Sequence, residues 1–426
     1  MIIYEVKPHD NLYSISKRYN ISPGKVIADN RLSDPEDLVA GQTLVLLPEN
    51  MVHTVRRGES LYSIAKNFGI TQKELQDANR GLRPPYRLSP GMHLNIPARG
   101  QKYGEIYVNG YSFPGINHNL LESILESLTY LSIFSYHARA DGTLVPINDE
   151  PLIQMARQAR VAPMMVITNM EEDGGFSSDL AHILLSDKEV QRKYIQNVLD
   201  TIKGKNYYGL DIDFEYVYPE DKENYNKFIE EMSGRLSPQK ITLTTALAPK
   251  NSAEQHGLLY SAHDYAFHGK YADHVILMTY EWGYTKGPAM AVAPINQVKK
   301  VLEYATSVIP SEKILLGIPN YGYDWTLPFV KGSSARSLSN IEAVDLARDI
   351  GTTIQYDEIS QAPYFYYYDE DKNRHEVWFQ DARSLQAALR LVDQYNLGGV
   401  SYWTINRPFP QNWLVLGSMF DIKKLL

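Results

Sequence analysis

The chain has 426 residues, 44% of them apolar and 22% charged, the balance of a soluble globular protein. Its formal net charge of −8 argues against nucleic acid as the main partner, because a phosphate backbone asks for a basic face. Cysteine is absent, which excludes disulfides, a thiolate nucleophile and cysteine-ligated zinc. The length exceeds one ordinary domain, although a barrel of roughly 250 residues or more could fill most of it.

The start, Met1 to Val6, has neither a basic n-region nor a long apolar h-region, so no cleavable signal peptide is expected. No stretch reaches the ~18 uninterrupted apolar residues of a membrane span. The first hundred residues then repeat themselves. Asn11-Leu12-Tyr13-Ser14-Ile15-Ser16-Lys17 recurs as Ser60-Leu61-Tyr62-Ser63-Ile64-Ala65-Lys66, 49 positions on. Asn20-Ile21 matches Gly69-Ile70, Asn30-Arg31 matches Asn79-Arg80, and Ala40-Gly41 matches Pro90-Gly91. Each copy reads as βααβ: a short strand, a polar N-cap at Asp10-Asn11 or Glu59-Ser60, an amphipathic helix, a second helix, a Pro/Gly turn and a closing strand. The closing strands are expected at Leu44 to Leu47 and Leu94 to Ile96. A unit of about 45 residues is only marginally stable alone.

These segments resemble LysM modules, most closely from Val55 to Ile70, and are expected to span 1–49 and 50–98. The resemblance implies binding to polymers containing N-acetylglucosamine, peptidoglycan or chitin, through the two loops that flank the helices. It places Asp10, Asn11, Leu12 and Asn30 at those loops in the first copy, and Glu59, Ser60, Leu61 and Asn79 in the second. The same leucines and asparagines could equally be packing and turn residues. Residues 1–50 carry 5 Lys/Arg against 7 Asp/Glu, and residues 51–98 carry 7 against 3, which favours the second copy as the partner of an acidic polymer. Two tethered modules would add avidity on a repeating glycan.

A polar linker, Ala98 to Lys102, leads into short apolar runs alternating with helical stretches. The runs are Ile106 to Val108, Tyr130 to Phe134, Met164 to Thr168, Gly209 to Phe214, Ile241 to Ala246, His274 to Met278, Ile314 to Ile318 and Gly399 to Trp403. Helices are expected at Leu180 to Leu199 and Lys222 to Arg235, among others. Eight such runs predict an α/β fold, a (β/α)₈ TIM barrel filling 99–426. The interval from Ile318 to Gly399 is too long for one loop and one helix. It holds a helical run (Ile341 to Ile350) and strand-like runs (Thr353 to Tyr356, Tyr364 to Tyr368, Val377 to Phe379), read as an α+β insertion at about 326–383. An insertion on the seventh βα loop should form one wall of the cleft.

The strongest chemical signal is Tyr208-Gly209-Leu210-Asp211-Ile212-Asp213-Phe214-Glu215. Residues two apart in a strand face the same way, so Asp211, Asp213 and Glu215 form one file of carboxylates, with Glu215 at the C-terminal mouth. Three like charges this close cannot all ionise comfortably, so at least one pKa must rise, which suits a general acid. Three other readings compete: a solvated acidic edge strand, a D-x-D metal site needing further ligands, and a sugar-binding barrel without turnover.

The segment resembles the D-G-x-D-x-D-x-E signature of family 18 glycoside hydrolases. Three further stretches agree in order: Met278-Thr279-Tyr280-Glu281, Leu316 to Gly322 (LGIPNYG), and Gly398 to Trp403 (GGVSYW). The resemblance implies a retaining, substrate-assisted hydrolysis with no protein nucleophile, no cofactor and no metal. By that resemblance Glu215 is the acid/base, Asp213 orients the substrate's 2-acetamido group, Asp211 supports Asp213, and Tyr280 donates to the acetamido carbonyl. Trp403 would stack under the sugar, with Met278, Glu281, Asn320 and Tyr321 as further substrate contacts. Two positions depart from the pattern: Tyr208 stands for the first aspartate, and Glu281 for the aspartate after the tyrosine. The sugar on the non-reducing side must offer a free 2-acetamido group, and the lactyl ether of N-acetylmuramic acid adds bulk there. Cleavage is therefore expected after N-acetylglucosamine. Tandem LysM modules before such a barrel resemble the spore cortex-lytic enzymes of endospore-forming bacteria. That implies a monomeric hydrolase of cortex peptidoglycan or its fragments, acting in the cortex or coat region of the spore. A chitinase would share every one of these catalytic residues.

Overall fold

The computed structural model describes residues 1–48, 50–68, 70–97, 102–172 and 174–426; of the expected linker Ala98 to Lys102 all but Lys102, and the repeat residue Gly69, lie outside the described residues. The chain divides into two compact units. One comprises Ile106–Tyr321, Arg390–Pro408 and Ile422–Leu426; the other comprises Met1–Glu105, Gly322–Leu389 and Phe409–Asp421.

The first of these is built on a closed parallel barrel. Its strands are β1 (Glu105–Ser112), β2 (Tyr130–His137), β3 (Ala162–Thr168), β4 (Gly209–Asp213), β5 (Thr242–Leu247), β6 (His274–Leu277), β7 (Ile314–Pro319) and β8 (Gly399–Trp403). They pair in chain order, and β8 closes on β1 with Val400 opposite Val108. Strands covered on both faces need near-continuous apolar runs, and every residue of β3 and β4 is buried. Inward residues fill the barrel in tiers. At the N-terminal end Tyr130 and His274 meet at 3.1 Å. Above them Asn109 donates to Ser401 at 3.0 Å and accepts from Ser132 at 2.9 Å. The next tier is apolar, with Tyr111, Phe134, Val166, Ala246, Ile276 and Leu315 in one cluster. Tyr111 of this tier donates its hydroxyl to Asp211.

The expected single helix Leu180 to Leu199 is two helices, Ser178–Ser186 and Lys188–Lys205. Asp187 interrupts the run, because its side chain accepts from the N–H groups of Glu189 and Val190 at 2.9 and 3.1 Å and so starts a new helix. The helix Lys222–Leu236 falls where expected.

In the other unit each repeat folds as βααβ. Ile2–Glu5 pairs antiparallel with Thr43–Leu46 around the helices Leu12–Tyr19 and Pro23–Asn30. Asn50–Thr54 pairs with His93–Pro97 around Leu61–Asn67 and Gln72–Ala78. The insertion is a five-stranded antiparallel sheet with one helix, Asn340–Ile350. Its strand order is Arg336–Leu338, Gly322–Leu327, Arg374–Trp378, Ala362–Tyr368, Gln355–Asp357. Two of these strands were not expected. Gly322–Leu327 runs straight on from the seventh-strand motif, and Arg336–Leu338 is too short to carry a period. Among the described residues no helix is long and apolar enough to cross a membrane.

Candidate active site

Strand β4 puts Leu210, Ile212 and Phe214 on its outer face. Phe214 stacks on Tyr225 and Phe228 at 5.8 Å each, which anchors that face to the helix Lys222–Leu236. The pleat then turns Asp211 and Asp213 into the barrel, both buried. Glu215 follows, only partly exposed, just beyond the strand's end.

Burial sets the electrostatics of this file. It raises Asp211 to about 7, against the opposing effect of Tyr111, whose hydroxyl donates to Asp211. It raises Asp213 well above the usual carboxylate range, helped by the charges of Glu215 and Asp211. Glu215 is pushed up to about 7 by burial and then by Glu281. One carboxylate oxygen of Asp211 and one of Asp213 are buried without a hydrogen-bond partner among the described residues, the condition in which an added proton is stabilised. Tyr280 is buried too, and its hydroxyl is held neutral by burial and by the charges of Asp213, Glu215, Glu281 and Asp211, in that order. These groups therefore converge. Chemically, the set offers a carboxyl that is protonated near neutrality, a second carboxyl pair able to hold one proton, and a phenol donor.

The scaffold around them is specific. Asn169, fully buried after β3, accepts from the Glu215 N–H at 2.9 Å and donates to the Glu215 carbonyl at 2.8 Å and the Ser177 carbonyl at 3.0 Å. His263 meets the Phe214 carbonyl through Nε2 at 2.9 Å and accepts the Ala248 N–H through Nδ1 at 2.9 Å. Burial lowers this imidazole to about 4, so it stays neutral and its tautomer is set by those two partners. Tyr216 and Glu281, each directly after a residue of the site, have φ of 54° and 65°. Non-glycine residues avoid this region at a cost of about 1–2 kcal/mol, so the backbone here is bent against its preference. Gly317 makes room for Tyr280: a Cβ there would lie 2.9 Å from the ring and 2.3 Å from the Leu277 carbonyl.

Trp403, partly exposed at the end of β8, meets Phe134, Tyr111 and Phe113 edge-on at centroid distances of 4.8, 5.3 and 5.9 Å. Met278 packs partly buried against the same apolar tier. Tyr321 donates its hydroxyl to Glu281, which is exposed. Tyr208 lies elsewhere, packed with Tyr130, Ala162 and Met164 at the N-terminal end of the barrel. Sequence reasoning missed Tyr111, Asn169 and His263. Tyr111 was within reach, since Tyr107, Asn109 and Tyr111 share the inward period of β1; Asn169 and His263 act on backbone atoms and leave no local pattern.

Asn320, an expected substrate contact, has a clear role in the fold. Asn320 is buried, and its side-chain amide donates to the carbonyls of Thr404 and Arg407 at 2.9 Å each. It holds the chain after Trp403. The expected module residues likewise serve the fold of each module. Leu12 and Leu61 are core residues of their modules. Asn30 spends its amide on the Val26 and Val45 backbone, and Asn79 does the same with Leu75 and Asn95. Asn11 and Ser60 cap helices. Asp10 accepts from Tyr4 and Lys7, and Glu59 accepts from the Arg56 N–H and pairs with His53. The side chains of Leu12, Leu61 and Asn30 are buried. Among the described residues no three His, Asp or Glu side chains are grouped to hold a metal ion.

The barrel and this site define a glycoside hydrolase, and the chain belongs to Glycosyl hydrolases family 18, whose profile matches residues 106–407. The LysM domain profile matches residues 4–46 and 53–97. The chain is 40% identical to the cortical fragment-lytic enzyme of Bacillus subtilis (strain 168), across 100% of this chain and 99% of that one. The crystal structure of the spore cortex-lytic enzyme SleL of Bacillus megaterium QM B1551 superposes with a TM-score of 0.90 at 38% identity, covering 100% and 99% of the two chains. A chitinase from Chromobacterium violaceum shares the fold, with a TM-score of 0.70 at 24% identity over 74% of this chain and 98% of that one.

Proposed function

We propose that this enzyme hydrolyses the β-1,4 bond after N-acetylglucosamine in spore-cortex peptidoglycan or its fragments, by a retaining, substrate-assisted route. The observation that carries the reading is the buried file Asp211–Asp213–Glu215, topped by a carboxyl whose proton is held to about pH 7. Glu215 protonates the leaving glycosidic oxygen. The 2-acetamido oxygen of the sugar attacks the anomeric carbon, and the C–O bond breaks to give an oxazolinium ion. Asp213, sharing one proton with Asp211, orients the acetamido N–H and offsets the positive charge. Tyr280 donates to the acetamido oxygen, and Trp403 supports the sugar ring. Glu215 then takes a proton from the water that opens the oxazolinium, so configuration is retained. The names of the full-length relatives, cortical fragment-lytic and cortex-lytic, support the spore cortex as substrate and site of action. The family profiles support reading the chain as two modules, 1–49 and 50–98, before a hydrolase domain, 99–426, with its insertion at about 326–383.

The test is digestion of purified spore-cortex fragments by the wild type and by Glu215→Gln, with chitin oligomers in parallel. Mass spectrometry should find new N-acetylglucosamine reducing ends with the wild type only. New N-acetylmuramic reducing ends would overturn the bond assignment, equal products from both enzymes would overturn the role of Glu215, and turnover of chitin oligomers alone would overturn the substrate.

A further inference from the structure

The two modules share a repeat, yet their surroundings differ. In the first module the loop before the closing strand, residues 31–42, is packed against the insertion. Val39 belongs to one apolar cluster with Leu338, Ala343, Ala347, Ile354, Phe365 and Val377. Ile354 donates its N–H to the Ala40 carbonyl at 3.0 Å, and Arg348 donates to the Ser33 hydroxyl at 2.8 Å. Arg383 reaches Glu5 at 3.0 Å and the Gly41 carbonyl at 3.2 Å. Gln411 donates to Asn30 and to the Thr43 carbonyl at 3.0 and 2.8 Å. The corresponding loop of the second module, residues 80–92, bonds only within its own module among the described residues. The equivalent glycines show the contrast directly. Both have φ of 87°, but a Cβ on Gly41 would lie 1.9 Å from the Ile354 carbonyl oxygen, whereas one on Gly91 would meet nothing within 4 Å.

Charge separates the modules too. Residues 51–98 carry 7 basic against 3 acidic side chains, and residues 1–50 carry 5 against 7. Among the described residues the ion pairs of the second module are His53–Glu59 and Lys73–Asp77. Arg56, Arg57, Arg80, Arg83 and Arg87 are exposed and stand outside those pairs, and all five flank the module's two helix-bounding loops. The LysM resemblance implies a glycan at those loops, and in the first module one of them is packed against the insertion.

We infer that the second module alone receives the glycan, that its loop arginines select an anionic, peptide-bearing strand over neutral chitin, and that the first module is a fixed part of the unit carrying the insertion. The inference rests on the peptidoglycan reading above. Solvent-exposed charges act over a Debye length of about 8 Å at physiological salt, so the selection is ionic and salt-sensitive.

The experiment uses the full chain carrying Glu215→Gln, so that nothing is digested. Insoluble spore-cortex peptidoglycan and chitin beads are the probes, and bound fraction is read by sedimentation at low and physiological salt. Arg80→Glu/Arg83→Glu/Arg87→Glu is compared with Lys7→Glu/Lys17→Glu/Lys25→Glu, the same charge change on the first module. The second-module triple should raise the apparent Kd for peptidoglycan about tenfold or more and remove most of its salt dependence, and should move chitin binding less than about threefold. The first-module triple should move either by less than about twofold. Equal weakening by the two triples, or an indifferent second-module triple, overturns the inference; a parent chain that binds chitin and no peptidoglycan overturns the peptidoglycan reading with it. Hydrogen exchange on the parent chain is independent of how the variants fold. Soluble cortex fragments should protect residues 80–92 and leave 31–42 unchanged, and equal new protection in both loops would overturn the inference.

Discussion

Replacing Glu215 by glutamine should make the protein more stable as well as inactive, and only above a certain pH. The carboxyl is raised from 4.5 to about 7 in the folded chain, mainly by burial. At 1.36 kcal/mol per pKa unit that shift corresponds to at most about 3 kcal/mol, and partial exposure of the side chain lowers the expectation to about 1–3 kcal/mol. The sign follows from which state holds the proton. A folded pKa above the unfolded one means that the fold incurs no cost below the unfolded value, a growing cost from there to about 7, and a constant cost beyond. Glutamine stays neutral throughout, so the variant and the wild type should be equally stable at pH 4. The variant should lead by the full margin at pH 8. Urea denaturation followed by tryptophan fluorescence at pH 4, 6 and 8 measures the difference. A gain of the same size at every pH would mean that shape, not charge, is responsible, and a loss at pH 8 would refute the buried-acid assignment outright.

Tyr111→Phe removes the hydroxyl that Tyr111 donates to Asp211, and a hydrogen bond to a charged group contributes about 1.5–3 kcal/mol. With Asp211 and Glu215 both near 7, raising Asp211 by about 1–2 pH units puts it above Glu215, so the kcat/KM profile on cortex fragments should keep one limb near 7, move its upper limb up by about 1–2 pH units and fall at its maximum; an unchanged profile would contradict this. Asn169→Ala frees both backbone groups of Glu215, so kcat should fall about 10- to 100-fold with KM changed less than about threefold, and a defect confined to KM would show that Asn169 does not position the acid. Gly91→Ala should cost about 1 kcal/mol from its left-handed backbone alone, and Gly41→Ala about 2 kcal/mol more from its collision with Ile354, as thermal denaturation would show; equal costs would argue against the packed first module.

The legible parts of this fold are those governed by short periods. The eight barrel runs, the two βααβ repeats and the alternation along β4 all follow from spacings of two or of three to four residues, and the structure places each of them. What stayed hidden depends on partners distant in sequence. Asp187 looks like one more polar position in a long helix until its carboxylate is seen accepting two N–H groups. Asn30 and Asn320 look like exposed polar residues that could hold a sugar, and both are buried with their amides bound to backbone carbonyls. Gly41 and Gly91 are indistinguishable in the repeat, because nothing local reports that residues more than 300 positions away pack on only one of them. His263 is a lone histidine with no motif, yet it holds the carbonyl of the residue before Glu215.

The order of the three carboxylates also follows from their place in the file. Residues two apart on one face of a strand are separated by about 6.6 Å. At an effective dielectric constant near 20, two unit charges at that distance repel by about 2.5 kcal/mol, close to two pKa units. An end member of the file has one such neighbour and the middle member has two, so Asp213 should resist ionisation most. Burial raises all three, Asp211 and Glu215 to about 7, and the charges of Glu215 and Asp211 add to the upward shift of Asp213. Tyr111 breaks the remaining symmetry by stabilising a charge on Asp211. On the proposed route the proton of the lower pair rests on Asp213, one strand step beneath the acid. A glycosidase that used its second carboxylate as a nucleophile would need that group ionised and unshared; the proposed route asks the opposite of this file, a carboxyl pair that holds one proton while the substrate's acetamido oxygen attacks.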